Sequence, residues 1–190
     1  MEKETIMGPF TTERLILRRF QVADLDAIWQ QIYQDRAVFT QYSGIGGDFG
    51  AVEERVRHYA YQPVHSEFGR LAVTLKEGGQ LIGQVHLDPH AIQTANFDGD
   101  NSPFFWVEVE LAFAFGKEFW GKGYAYEACL PMIHYAFNEL HLPRLVGGAM
   151  ADNERSIALH RRLGYRIVEN PNKDDPVGLI TILDNPRRTG

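Results

Sequence analysis

A chain of 190 residues, 44% apolar and 23% charged, is long enough to bury one self-sufficient core and has the balance of an ordinary globular protein. Its formal net charge of −6, from 19 basic and 25 acidic residues, argues against a nucleic-acid partner and mildly favours cationic ones. The single cysteine, Cys129, excludes internal disulfides and a cysteine-rich zinc site, and the lack of a long apolar run predicts a cytoplasmic protein that does not enter the membrane.

Glu13 to Phe20 alternates as a first strand should. Asp24 to Tyr33 places Leu25, Ile28, Trp29 and Ile32 at helical spacing, with Asp24 as the expected N-cap. A glycine-rich stretch (Gly44, Gly46, Gly47, Gly50) leads into a second helix from about Ala51 to Tyr61. Arg70 to Lys76 and Gln80 to Leu87 flank Glu77-Gly78-Gly79 as a hairpin. Asp88 to Pro103 is polar and broken by prolines and glycine, which predicts a long loop. Phe105 to Phe115 is the strongest strand, and Lys122 to Leu140 a helix that Pro131 should kink. A strand over Arg144 to Met150 and a helix over Glu154 to Leu163, stopped by Gly164, follow. Tyr165 to Glu169 and Val177 to Leu183 form a closing pair of strands. There are no repeats and no linker, so one domain spans 1–190. A meander that then alternates with helices implies a mixed α/β layer around one sheet.

The segment Trp106 to Gly123, WVEVELAFAFGKEFWGKG, carries the chemistry. Successive strand side chains face opposite ways, so Val107, Val109, Leu111, Phe113 and Phe115 share an apolar core face. The other face presents Glu108, Glu110, Ala112 and Ala114. Two carboxylates followed by two small residues suit the floor of a cleft, and equally a solvated face. The turn that follows, Trp120-Gly121-Lys122-Gly123-Tyr124-Ala125, feeds a helix. Its glycines allow close approach to a ligand, and free amides at a helix start suit a pyrophosphate. It is not a Walker loop, because no G-x-x-x-x-G-K-[ST] occurs, and not a dinucleotide fingerprint, because the third glycine is missing.

Residues 108–127, EVELAFAFGKEFWGKGYAYE, resemble the acetyl-CoA motif of GNAT acetyltransferases, especially the ribosomal-protein N-terminal (Rim-type) branch. Gly123 and Ala125 match the last two signature positions, while Trp120 stands where the wider family has Gln or Arg. The resemblance continues through Asn153-Glu154-Arg155-Ser156 and Leu163-Gly164-Tyr165, and the opening Thr12 to Arg18 is typical of the branch. It implies a largely antiparallel sheet of about seven strands, opening into a V and flanked by about four helices. It implies acetyl-CoA as co-substrate and an amine acceptor, either a small molecule or a protein N-terminus. Main-chain groups of Phe113, Ala114 and Phe115 would then pair with pantetheine. Gly121, Lys122, Gly123, Tyr124 and Ala125 would hold the pyrophosphate beside Trp120, with Asn153 and Ser156 touching the pantetheine arm.

A protonated amine cannot attack a thioester, so a base is needed. The resemblance points to Glu110, with Glu108 as fallback; either would equally serve to bind a cationic acceptor. On the later helix Asn153, Ser156 and His160 fall on one stripe, beside a core stripe of Leu159 and Leu163. Ser156 matches a family serine near the sulfur. His160 stands where several relatives have a tyrosine acid, and would be either a proton donor to the leaving thiolate or a helix histidine without that role. Asn153 also suits a helix cap.

The seven histidines show no metal spacing, so no metal is expected. Cys129 reads as buried and inert. Trp29, Tyr33, Phe39 and Tyr42 occupy the region that binds the acceptor in the family, and Phe97 to Phe105 with Trp106 would add a wall or a dimer contact. Monomer and homodimer both stay open. So do two other readings, a non-catalytic acyl-CoA-binding module and an acyltransferase for a different thioester.

Overall fold

The computed structural model describes residues 7–41, 48–61, 67–92, 106–172, 175 and 177–188, with main chain alone at 91, 92, 106 and 188. Tyr42, Gly44, Gly46, Gly47 and the 97–105 segment lie outside the described residues.

The chain opens with β1 (Phe10–Thr11) and β2 (Leu15–Arg19), where Leu15 and Leu17 alternate fully buried with half-buried neighbours. A helical stretch follows as a 3-10 turn (Val22–Asp24), one α-turn α1 (Leu25–Ile28) and a π-helical turn (Trp29–Tyr33). The single turn α2 (Arg36–Phe39) and the helix α3 (Phe49–Ala60) are capped by Asp35 and Asp48. The meander β3 (Gly69–Leu75), β4 (Leu81–Ile92) and β5 (Trp106–Phe115) leads to α4 (Tyr124–Asn138). The chain closes with β6 (Arg144–Ala149), α5 (Glu154–Arg162), β7 (Arg166–Glu169) and β8 (Leu179–Asp184).

These strands form one sheet of eight in the order β1-β2-β3-β4-β5-β6-β8-β7. All neighbours are antiparallel except β5 and β6. The architecture is the expected mixed α/β one, enlarged by the two-residue β1 and the single turn α2. One core joins α4 to the sheet through Leu15, Leu71, Val85, Leu111, Met132 and Leu145. A second, on the opposite face, joins α1–α3 to Ala72 and Ala114 through Ile28, Ile32, Val38, Val52 and Val56. Small Ala72 and Ala114 leave room for those helices, which is why an alternating strand can carry alanine on a buried face.

Three expectations are corrected. Asp24 does not cap α1: its carboxylate accepts two bonds from Arg18 at 2.8 Å each and one from the Gln21 N–H at 2.8 Å, fastening β2 to the helical stretch. Asp88 to Ile92 is strand, not loop. Pairing of β3 with β4 ends at Gly69↔Leu87, so beyond that point β4 has, among the described residues, only β5 beside it, and Pro89 is tolerated on such an edge. Val107 is 72% exposed, because the apolar face of β5 begins to be covered only at Val109. α4 runs through Pro131 without interruption.

Candidate active site

β5 pairs with β4 along its whole length, from Ile92↔Trp106 to Gly83↔Phe115. Its pairing with the parallel β6 is confined to Glu110↔Val146. Beyond Glu110 the two strands part, and among the described residues no strand lies beside that edge of residues 111–115. A cleft of about 410 Å³ occupies the gap, lined by Glu110 to Phe115, Gly148, the turn before α4 and one face of α5. An open strand edge is a surface on which an extended amide-bearing arm can pair.

At the mouth of this cleft the chain turns into α4. Gly121 (φ +73°) and Gly123 (φ +81°) are left-handed, a conformation that side chains with a Cβ resist. A Cβ at Gly121 would meet no protein atom within 4 Å. The first bond that closes α4 runs from the Glu127 N–H to the Gly123 carbonyl at 3.1 Å, so the amides before Glu127 have no intrahelical acceptor. Trp120 anchors the turn by donating its indole N–H to the Phe115 carbonyl at 2.7 Å. Arg14 fixes the other side, donating to Glu127 Oε2 and to the Lys122 carbonyl at 2.7 and 3.0 Å.

Of the residues expected to hold the cofactor, Phe113, Ala114, Phe115, Trp120, Gly121, Gly123, Tyr124, Ala125, Asn153 and Ser156 all line the cleft. Lys122 is not among the lining residues; its ammonium lies 5.6 Å from the centre of the Phe119 ring. Two cations that the sequence reading gave no role are there instead. Arg155 stacks over Trp120 at 4.1 Å and Arg162 over Tyr126 at 3.8 Å, both on the cleft wall. Seven residues apart on α5, they share a face, a spacing that helical geometry makes visible in sequence.

The two carboxylates of β5 meet different fates. Glu108 is buried and accepts two bonds from Arg144 Nε at 3.0 Å each, besides a contact from Nη2. That ion pair leaves the fallback base no free oxygen facing a substrate. Glu110 lines the cleft with its side chain 31% exposed, and Oε2 lies 3.1 Å from His90 Nε2. His90 sits in the segment expected to be a loop, and no signal in the sequence placed it here.

On α5, the Asn153 side chain caps the helix by accepting from the Ser156 N–H at 3.2 Å. His160 is almost wholly buried, beside Phe113 and Tyr165 with ring centres at 5.6 and 5.1 Å. Its Nδ1 lies 2.8 Å from the Ser156 carbonyl, which can only accept, so Nδ1 carries the proton. Burial pushes the ring below the usual histidine range, outweighing that hydrogen bond and the charge of Glu110. A neutral ring with its proton committed to a carbonyl has none to spare, so a proton donor at this place would have to form against its surroundings. The Ser156 hydroxyl, 3.3 Å from Nδ1, remains free to rotate toward the cleft. Among the described residues no cluster of three metal-ligating side chains occurs, and no helix is long and apolar enough to cross a membrane.

Comparison with known proteins supplies the context. Residues 14–166 match the family model described as the GNAT acetyltransferase domain. The chain is 26% identical over 162 residues to an uncharacterized N-acetyltransferase, p20, of Bacillus licheniformis, covering 84% of this chain and 83% of that protein. An acetyltransferase from Agrobacterium tumefaciens superposes with a TM-score of 0.70 at 27% identity, over 93% of this chain and 94% of that one. The ribosomal-protein-S5-alanine acetyltransferase of Vibrio fischeri shares the fold, with a TM-score of 0.70 at 15% identity over 95% and 98% of the two chains.

Proposed function

We propose that this chain, which belongs to the GNAT acetyltransferase family, moves the acetyl group of acetyl-CoA to a primary amine by direct attack, with Glu110 as the general base. That it is an acyltransferase follows from the family; the donor, the acceptor class and the residue roles are our reading. The observation that carries the reading is the contrast on β5. Glu108 is consumed by Arg144, whereas Glu110 faces the cleft where β5 and β6 part.

The fit to acetyl-CoA rests on features of this chain. Open space over Gly121 and free amides at the start of α4 suit a pyrophosphate, and Arg155 and Arg162 add positive charge beside it. The unpaired edge of Phe113 to Phe115 suits the pantetheine amides, which brings the thioester close to Glu110 and Ser156. Glu110 takes a proton from the amine, directly or through one water. The amine nitrogen bonds to the acetyl carbon, the carbon–sulfur bond breaks, and the proton that the nitrogen sheds on becoming an amide goes to the departing thiolate. The Ser156 hydroxyl supplies a hydrogen bond to the departing thiolate, while His160 holds the Ser156 main chain by donating Nδ1–H to its carbonyl. In this reading His160 orients Ser156 and is not itself the acid.

The acceptor is an amine for which Glu110 supplies most of the attraction. Glu108 has Arg144 beside it, and Asp88 has Arg70 at 2.8 Å. A peptide N-terminus, as the fold likeness to the S5-alanine enzyme suggests, and a small amine both meet that requirement. The test is release of free CoA thiol from acetyl-CoA in the presence of spermidine, single amino acids, an aminoglycoside and peptides beginning with alanine or serine. Release that depends on one of these amines supports the reading. Acetyl-CoA binding with no release on any of them would return the chain to a non-catalytic acyl-CoA-binding role.

A further inference from the structure

On β4 and β5 the even-numbered residues face one way and stand in register: His86 opposite Ala112, Asp88 opposite Glu110, and His90 opposite Glu108. Carboxylates directly opposed across a pair of strands repel. Here each acid on that face is drawn to a different base. Asp88 turns to Arg70 on β3, with His86 Nε2 at 3.4 Å from the same Asp88 oxygen. Glu108 turns to Arg144 on β6. His90 passes over its direct neighbour Glu108 and reaches diagonally to Glu110, where Nε2 and Oε2 are 3.1 Å apart.

An ionised carboxylate has no hydrogen to give, so the proton in this bond belongs to His90. Oε2 is thereby occupied, while Oε1 has no hydrogen bond among the described residues. We propose that His90 is a positioning residue for the base: by donating Nε2–H to Oε2, it fixes the rotation of the Glu110 carboxylate and presents Oε1 to the amine or its water. This rests on the reading of Glu110 as the base.

The pair also carries charge information. Facing His90 are Glu110 and Glu108 from β5, Asp88 and His86 from β4, Arg70 from β3 and, behind Glu108, Arg144 from β6. The bond to Glu110 raises the affinity of His90 for a second proton. Partial burial and Arg70 oppose this, while the charges of Glu110 and Asp88 reinforce it.

The experiment compares His90→Ala, His90→Gln and Glu110→Gln with the native chain. The readouts are kcat and KM of acetyl-CoA-dependent thiol release with spermidine and with an alanine-initial peptide, and acetyl-CoA affinity. His90→Ala should lower kcat about tenfold, the scale of losing alignment at a reacting group, with unchanged affinity for acetyl-CoA. His90→Gln, which retains an N–H donor but no charge, should recover most of kcat. Native kcat in His90→Ala, with turnover lost in Glu110→Gln, would overturn the role of His90 and leave the base reading standing. An equal fall of kcat and cofactor affinity in both His90 variants would mark a structural residue and also overturn it. Full activity in Glu110→Gln would remove the base and the proposal together.

Discussion

Arg144 donates from Nε to both oxygens of the Glu108 carboxylate, at 3.0 Å each, across the point where β5 and β6 still touch. With side chains 18% and 7% exposed, the two ions are largely out of water. Removing one partner from such a pair leaves a desolvated charge, whereas removing both leaves only a packing defect. Glu108→Gln should therefore lower unfolding free energy by about 2–3 kcal/mol, somewhat under the range for fully buried pairs. The double substitution Glu108→Gln with Arg144→Met should recover a large part of that loss. Chemical denaturation of the three variants measures it. Turnover per folded molecule should be retained, and a loss as large as that of Glu110→Gln would instead give Glu108 a part in the reaction.

That division of labour between Glu108 and Glu110 marks the boundary of what the sequence could reveal. Alternation along Trp106 to Phe115, the two glycines before α4 and the Asn153–Ser156–His160 stripe are local patterns, set by backbone periods and turn conformations, and they were legible. Which carboxylate remains available depends on Arg144, which reaches Glu108 from a strand brought alongside only by the crossover through α4. His90 was hidden for a different reason. Pro89 beside it reads as a strand breaker, and only the end of β3 at Gly69 makes a proline acceptable at that point of β4. Arg155 and Arg162 share a helical face, but aromatic stacking on Trp120 and Tyr126 is a tertiary fact.

Gly121→Ala separates conformational strain from ligand contact. The added methyl meets no protein atom within 4 Å, yet φ of +73° is unfavourable for alanine by about 1 kcal/mol. The apo protein should lose about that much stability. Acetyl-CoA affinity should fall at least tenfold, because the methyl projects where a phosphate would approach the backbone. Gly123→Ala adds a second effect, since its Cβ would stand 3.5 Å from Arg14 Nη2. Calorimetric titration with acetyl-CoA gives the affinities, and an unchanged value for Gly121→Ala would refute the pyrophosphate assignment.

Stability should decline as the pH falls below about 6.5, the ordinary histidine value. His86 is held well below that value by burial first, then by Arg70 and His90, and His160 is lowered chiefly by burial. Both are neutral in the fold but take up a proton when unfolded. Their contribution is therefore present above the unfolded value and lost as pH falls from it toward the folded one, at up to about 1.4 kcal/mol per pH unit for each. His90 has the opposite sign. Raised in the fold, its contribution is full below the unfolded value and lost as pH rises through the folded one, so it offsets part of the decline. Urea unfolding at pH 7.5, 6.5 and 5.5 avoids the range in which most carboxylates titrate. A flat profile would contradict the buried neutral state, and His160→Gln should make the native slope shallower.

Cys129 provides a check on direct transfer. It lies fully buried within α4, and burial pushes its thiol far above the usual range, so almost none of it is the reactive thiolate. An acyl-cysteine route would need that thiolate to reach the thioester, yet Cys129 is packed in the core beneath the sheet and is absent from the cleft wall. In the folded protein Cys129 should react with an aromatic disulfide reagent no faster than the protein unfolds, and promptly in denaturant. Cys129→Ala should keep kcat within about twofold, since the groups assigned to proton removal and thiolate stabilisation stay in place. Rapid labelling of the native protein that acetyl-CoA blocks, together with loss of turnover in Cys129→Ala, would place the thiol on the reaction path and displace Glu110 from the first step.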